Sequence, residues 1–143
     1  MYLDRTSTPR FIMLLSKGIK VPIHGDGRNI RSFLFAADAA QALDVIFHRG
    51  TIGMIYNISS SHHMQVCEVA GKILEHLPND KYEADLLEWA EWVDDRPYND
   101  SMYWTDASKL ELLGWEQRTS FDQGLEATIR WYLEEGDRFW ASS

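Results

Sequence analysis

Glycine and proline cut this chain into pieces that leave room only for brief strands and helices of moderate length. Residues 8–17 predict a short helix closed by Gly18, because glycine takes the left-handed conformation past a helix end without a Cβ penalty. Residues 21–23 predict a strand, and Gly25-Asp26-Gly27 a sharp turn, since glycine tolerates positive φ. Residues 32–35 predict a return to extended chain. Asp38 is placed to cap a helix whose apolar residues Ala39, Ala42, Leu43 and Ile46 follow the helical period. Gly50 and Gly53 then bracket a link to a buried strand at 54–58.

The second half repeats the alternation. Val66, Val69, Ala70, Ile73, Leu74 and Leu77 predict an amphipathic helix stopped by Pro78. Residues 79–91 are acidic and punctuated by tryptophan, and their pattern does not decide between helix and loop. Residues 102–104 read as a short strand, and 106–113 as a small helix ended by Gly114. Ser120 and Gln123 form a capping box before a last helix with Leu125, Thr128, Ile129 and Tyr132 along one face. The alternation of strands and helices is that of an α/β fold.

At 143 residues the chain is expected to form one domain with one core. Fourteen basic against 22 acidic residues give a formal charge of −8, which argues against a general nucleic-acid partner. Two local arginines still suffice for one phosphate-bearing small ligand. Cys67 stands alone, so no intrachain disulfide can form. No apolar run approaches the roughly 20 residues needed to span a bilayer, and residues 1–10 lack the pattern of a signal peptide. The expectation is a cytoplasmic protein that binds no membrane.

Two arginines lie in loops marked by glycine or proline: Arg31 after Gly25-Asp26-Gly27, and Arg96 in Asp95-Arg96-Pro97. A planar guanidinium gives a diphosphate two parallel hydrogen bonds, and Pro22 and His24 are suitable surfaces for a flat base. Taken singly, each element also has an ordinary reading. Arg31 could sit solvated on a hairpin, Arg96 in a surface ion pair with Asp94 or Asp95, and Asn57 as a turn-former capping its own backbone. Other clusters carry less. Adjacent His62 and His63 would not face one another on a helix and lack a fourth ligand beyond Cys67, so no metal is expected; they are expected to open the helix after Ser61. Glu83, Asp85, Glu88 and Glu91 read as a solvated acidic face, and most of the six tryptophans as packing residues.

The ordered set Pro-Ile-His-Gly-Asp-Gly-x-x-Ile-Arg-Ser-Phe-Leu, Tyr56-Asn57-Ile58, Asp-Arg-Pro-x-x-Asp, Leu113-Gly114-Trp115 and Gly-Leu-x-x-Thr-Ile-x-Trp-Tyr runs from Pro9 onward over almost the whole chain. It closely resembles the rear part of the dTDP- and UDP-glucose 4,6-dehydratases, NAD-dependent members of the extended short-chain dehydrogenase/reductase (epimerase/dehydratase) family. The resemblance implies an α/β substrate-binding portion, residues 1–143 as one unit, without the Rossmann cofactor half. It also implies that Pro22 and His24 flank the base, that Arg31 and Arg96 clamp the pyrophosphate, and that Asn57 and Asn99 make further contacts with a UDP- or dTDP-hexose. Two positions depart from the family pattern: Thr6 stands where relatives carry lysine, and Phe35 where they carry tyrosine.

NAD serves the full-length family, but these 143 residues contain neither a dinucleotide glycine fingerprint nor a Tyr-x-x-x-Lys pair. No catalytic residue and no cofactor are therefore expected for this chain alone. The expectation is an inactive, nucleotide-sugar-binding part of a lyase. The alternatives are a non-enzymatic module docking on a complete dehydratase, or a subunit completing a site on a separate Rossmann polypeptide. The same resemblance implies that the segment ending at Asn57 and the helix after Asp38 pack on the cofactor half, so here they should leave apolar surface uncovered.

Overall fold

A helix must satisfy its last carbonyls, and Gly18 does so for the first one. The computed structural model describes residues 7–77, 85–95 and 105–141 and begins with α1 (Ser7–Ser16). Gly18 takes φ +70°, and the Gly18 and Ile19 amides fold back on the Leu15 and Leu14 carbonyls, each at 2.9 Å. This double closure ends the helix as expected.

The chain enters β1 (Val21–His24), turns through Gly25 and Gly27 at φ +60° and +70°, and continues into β2 (Ile30–Ser32). These two strands do not pair with each other. β1 runs parallel to β4 (Ala90–Val93), while β2 pairs antiparallel with β3 (His63–Gln65). The hairpin reading of Gly-Asp-Gly is thereby overturned. The Gly27 and Asn29 carbonyls accept from the Cys67 and Val66 amides at 3.1 and 3.2 Å, so the turn is committed to α3 (Val66–His76) instead. Gly27 also packs too closely for a side chain: a Cβ there would lie 2.8 Å from Ile23.

The main core forms on one face of β1. Val21 and Ile23 are buried against Phe11, Ile12 and Leu15 of α1 and Val69, Ala70, Ile73 and Leu74 of α3. The last helix, α6 (Phe121–Ala141), adds Leu125 and Ile129. Its capping box is present, with the Ser120 amide donating to Gln123 at 3.2 Å and the Gln123 amide to the Ser120 hydroxyl at 3.3 Å. The apolar stripes expected of α3 and α6 are those the fold buries.

A second, smaller core joins α2 (Ala36–Arg49) to α5 (Ser108–Glu111) through Ala42, Leu110 and Trp115. Here several expectations need correction. Asp38 does not cap α2, whose N-cap is Phe35. It lies buried in the first turn, where its Oδ2 accepts from the Thr119 amide at 3.0 Å. Residues 54–58 form no strand, and Met54 and Ile55 are exposed. No described strand borders them, and a strand without a neighbour has no ladder to complete. The histidines do not open a helix either: His63 belongs to β3, and α3 starts at Val66 with the Gln65 amide donating to Glu68 at 2.8 Å.

The undecided stretch resolves partly into α4 (Leu86–Trp89), capped by Asp85 through the Leu87 amide at 2.9 Å, and then β4. The helix stop at Pro78 and the strand expected at 102–104 lie outside the described residues. No described helix is long and apolar enough to cross a membrane.

Candidate functional site

Parallel pairing sets the site, because it brings the C-terminal ends of β1 and β4 side by side. The register places Pro22 beside Glu91, Ile23 beside Trp92 and His24 beside Val93. Successive strand residues point to opposite faces. Val21, Ile23 and Ala90 face the core, so Pro22 and His24 stand together on the opposite, half-open face. The loops leaving the two strands are joined as well. The Gly25 amide donates to the Val93 carbonyl at 3.0 Å, and His24 Nδ1 lies 3.2 Å from the Asp94 carbonyl oxygen. The latter contact orients the imidazole.

Gly25 is required where the loops meet. It has φ +60°, and a Cβ would lie 3.1 Å from the Asp95 carboxylate. The chain therefore passes from this junction directly into Arg96, one residue beyond Asp95. Arg96 and Asn99 themselves lie outside the described residues.

Arg31 is on β2, opposite Met64, half-buried, with Nη1 donating to the Ile30 carbonyl at 2.8 Å. The Gly25–Asn29 turn connects β1, which carries Pro22 and His24, to β2, which carries Arg31. Arg28 on the turn keeps its amide on Asp26 at 3.0 Å, with an exposed ion pair at 3.9 Å.

Asn57 is anchored at the entry to α5. Its Nδ2 donates to the Asp106 carbonyl at 3.2 Å, at the entry to α5. The Asp106 carboxylate accepts from the Ser108 hydroxyl and, at 2.9 Å, from the Ser108 amide. These two bonds hold its pKa below the ordinary 3.8. Asn57 thus ties the 54–58 segment to the small core, and not at the inner end of a strand. A hollow of about 620 Å³ opens nearby, lined by Ser60, His63, Asp106, Glu111, Glu116 and Gln117. Its three carboxylates make it a poor seat for a diphosphate, since like charges raise the cost of binding.

A second cavity, of about 260 Å³, lies between α1 and α6 against Phe33, Phe35, Phe121 and Tyr132. It is apolar, and burial there pushes the Tyr132 hydroxyl pKa above 10.0. Among the described residues no group of three metal-ligating side chains occurs.

The described residues do not fit a nicotinamide dinucleotide. A pyrophosphate needs glycine at a strand-to-helix joint and unopposed helix amides. The joint from β2 to α2 holds no glycine and places the Asp38 carboxylate in the first turn; the joint from β3 to α3 does the same with Glu68. The glycine turn after β1 leads to a strand, not to a helix.

The residue missed from sequence is Glu91, which the register sets on the same face as Pro22 and His24. No sequence signal marked it, because parallel partners 69 positions apart are set by topology and not by local pattern.

Comparison with known proteins agrees with this architecture. Residues 4–128 match the family described as GDP-mannose 4,6 dehydratase. The chain is 42% identical over 126 residues to a trifunctional UDP-glucose 4,6-dehydratase/3,5-epimerase/reductase of Arabidopsis thaliana, covering 88% of this chain and 18% of that protein. It is 36% identical to the dTDP-D-glucose 4,6-dehydratase of Bos taurus, covering 88% and 36%. Among solved structures, dTDP-glucose 4,6-dehydratase of Bacillus anthracis in complex with NAD superposes with a TM-score of 0.82 at 31% identity, over 96% of this chain and 42% of that one. A Streptomyces venezuelae dTDP-glucose 4,6-dehydratase with NAD and TYD bound gives 0.82 at 31%, over 92% and 39%. The chain spans less than half the length of each of these relatives.

Proposed function

The chain belongs to the GDP-mannose 4,6-dehydratase family and corresponds to its C-terminal part, and from that premise we propose that residues 1–143 form a single cytoplasmic unit that binds a nucleotide sugar, UDP- or dTDP-hexose, without catalysing its dehydration alone. The observation that carries this reading is the parallel β1–β4 pair. It sets Pro22 and His24 on one face and joins their loop to the strand end that leads into Arg96. In this reading Pro22 and His24 flank the base, Arg31 and Arg96 hold the diphosphate, and Asn57 and Asn99 supply further contacts with the nucleotide sugar. The 4,6-dehydration needs a bound nicotinamide and a positioned base. These 143 residues supply the motif for neither.

Calorimetric titration of the purified chain with UDP and dTDP tests the clamp. Removing one partner of a buried charge pair costs about 2–5 kcal/mol, and less in an open cleft. Arg31→Ala and Arg96→Ala should each weaken binding, whereas exposed Arg118→Ala should not. Equal affinities in all three variants, or no binding by the unaltered chain, would end the nucleotide-sugar reading. Formation of a 4-keto-6-deoxy sugar by this chain alone would end the claim that it is inactive.

A second reading rests on a different observation. Leu43, Phe47, Ile52, Met54 and Ile55 are all exposed, Phe47 to 84%. Large apolar patches on soluble proteins mark interaction surfaces. This face fits docking on a Rossmann-containing polypeptide, or failing that self-association. Light scattering after chromatography checks it: Phe47→Lys with Ile55→Asp should reduce association, and a monodisperse monomer of the unaltered chain would contradict it.

A further inference from the structure

We infer that Glu91 reads the edge of the nucleotide base, accepting a hydrogen bond from the imide N–H of a uracil-type ring. This rests on the reading of the β1–β4 face as the base wall and goes beyond it, because it assigns the group that selects the base. Three observations carry it.

The first is register. Glu91 is the direct partner of Pro22 in the parallel pair, so both side chains leave the same face of the sheet. His24 lies two residues along on that face, and its neighbour Val93 offers no polar group. A ring stacked over Pro22 and His24 therefore extends sideways over β4, about 5 Å away, where Glu91 is the polar side chain. The second is orientation: Ala90 and Trp92 occupy the opposite face, with the Trp92 ring 3.4 Å from where a Gly27 Cβ would stand. The Trp92 ring thus packs toward the Gly27 turn, away from the face that carries Glu91.

The third is chemistry. Glu91 is exposed and engages no other side chain among the described residues. An ionised carboxylate only accepts hydrogen bonds. Uracil and thymine present one ring N–H between two carbonyls, and a single carboxylate oxygen meets that donor in a charge-assisted bond. A base whose ring nitrogen carries no hydrogen offers nothing at that point. Arg31 and Arg96 would still hold the diphosphate, so base choice and phosphate affinity separate.

That separation supplies the test. The whole chain is titrated with uridine diphosphate and with 3-methyluridine diphosphate, whose ring N–H is replaced by a methyl group. The two probes are compared in the unaltered chain, in Glu91→Gln and in Glu91→Leu. A charge-assisted bond at a partly solvated site is worth roughly tenfold in affinity. The unaltered chain should prefer uridine diphosphate by about that factor. Glu91→Gln, which keeps a carbonyl acceptor, should retain part of the preference, and Glu91→Leu should bind both probes equally.

If the unaltered chain binds the two probes equally, the inference fails while the nucleotide reading survives. An undiminished preference in Glu91→Leu overturns it too, because another group then reads the ring. If neither probe binds, both the inference and the reading beneath it fall. Because Glu91 is exposed, its replacement leaves the core intact, and far-ultraviolet circular dichroism of the variants checks this.

Discussion

The two cores of this molecule close to different degrees. Around β1, four elements meet, and Ile12, Leu15, Ile23 and Ile73 are wholly buried. Around α2 the buried apolar cluster is limited to Ala42, Leu110 and Trp115, while Leu43, Phe47, Ile52, Ile55 and Leu112 face outward. A helix stripe is satisfied only when another element covers it. Among the described residues the β1 core finds its cover, and the α2 region finds it only in part. The region bearing the proposed nucleotide wall is thus closed by its own elements, and the α2 region leaves an apolar face open.

The sharpest way to break that contrast is to truncate one apolar side chain in each region. Ile73→Ala removes a wholly buried side chain from the main core and should cost about 2–5 kcal/mol, the transfer and cavity terms acting together. Phe47→Ala removes a larger side chain from an exposed position and should change the monomer's stability by about 0.5 kcal/mol or less. Urea denaturation of both variants, at a concentration low enough to suppress association, makes the comparison. Similar losses in the two would mean that the α2 face is covered after all.

A smaller effect is expected where the regions are stitched together. Asp38 on α2 accepts from the Thr119 amide at 3.0 Å, and its own carbonyl receives Trp115 Nε1 at 3.2 Å. Asp38→Ala leaves the Thr119 amide without its acceptor, a loss of about 1–3 kcal/mol. Asp38→Asn keeps an acceptor and should recover much of it. Because the Trp115 indole reports on the junction, its fluorescence should shift in the alanine variant before global unfolding. An alanine variant with unaltered melting temperature and emission would show the stitch to be idle.

The same contrast explains what could be read from sequence. Helices that bury a stripe inside the chain, α3 and α6, were legible because their period and their cover are both local facts: Val69, Ile73, Leu125 and Ile129 fell where the 3.6-residue pattern put them. The segment 54–58 was misread because an apolar run predicts burial, whereas burial needs a neighbour that none of the described residues supplies there. Asp38 looked like a cap by position, yet its partner is 81 residues away, beyond any local pattern. Of the proposed site, motif order singled out Pro22, His24 and Arg31. It did not single out the β1–β4 register or Glu91, since parallel pairing over 69 residues leaves no periodic trace. Arg96 and Asn99 stand outside the described residues, and Asn57 is turned toward α5.

The smallest expected effect tests whether surface charge adds anything to the better-closed region. Lys72 of α3 donates to Asp122 of α6 at 2.7 Å, with both side chains partly exposed. That hydrogen bond holds the Asp122 pKa below 3.8, with Coulombic help from the same lysine, and raises that of Lys72 above 10.5. A carboxyl whose folded pKa is depressed stabilises above its unfolded value and loses that contribution as pH falls through the folded one; a raised lysine loses its contribution as pH climbs through its folded value. The pair therefore acts across the neutral range and fades at both ends, below 3.8 and above 10.5. Lys72→Met should cost about 0.2–1 kcal/mol at pH 7, as exposed pairs do. Added salt should shrink the difference from the unaltered chain, because screening weakens exposed pairs. Melting curves at pH 3 and pH 7, with and without salt, decide it. A loss that persists unchanged at pH 3 would assign the effect to the packing of the lysine stem on Phe121, whose ring centroid lies 5.9 Å from the ammonium, and not to charge.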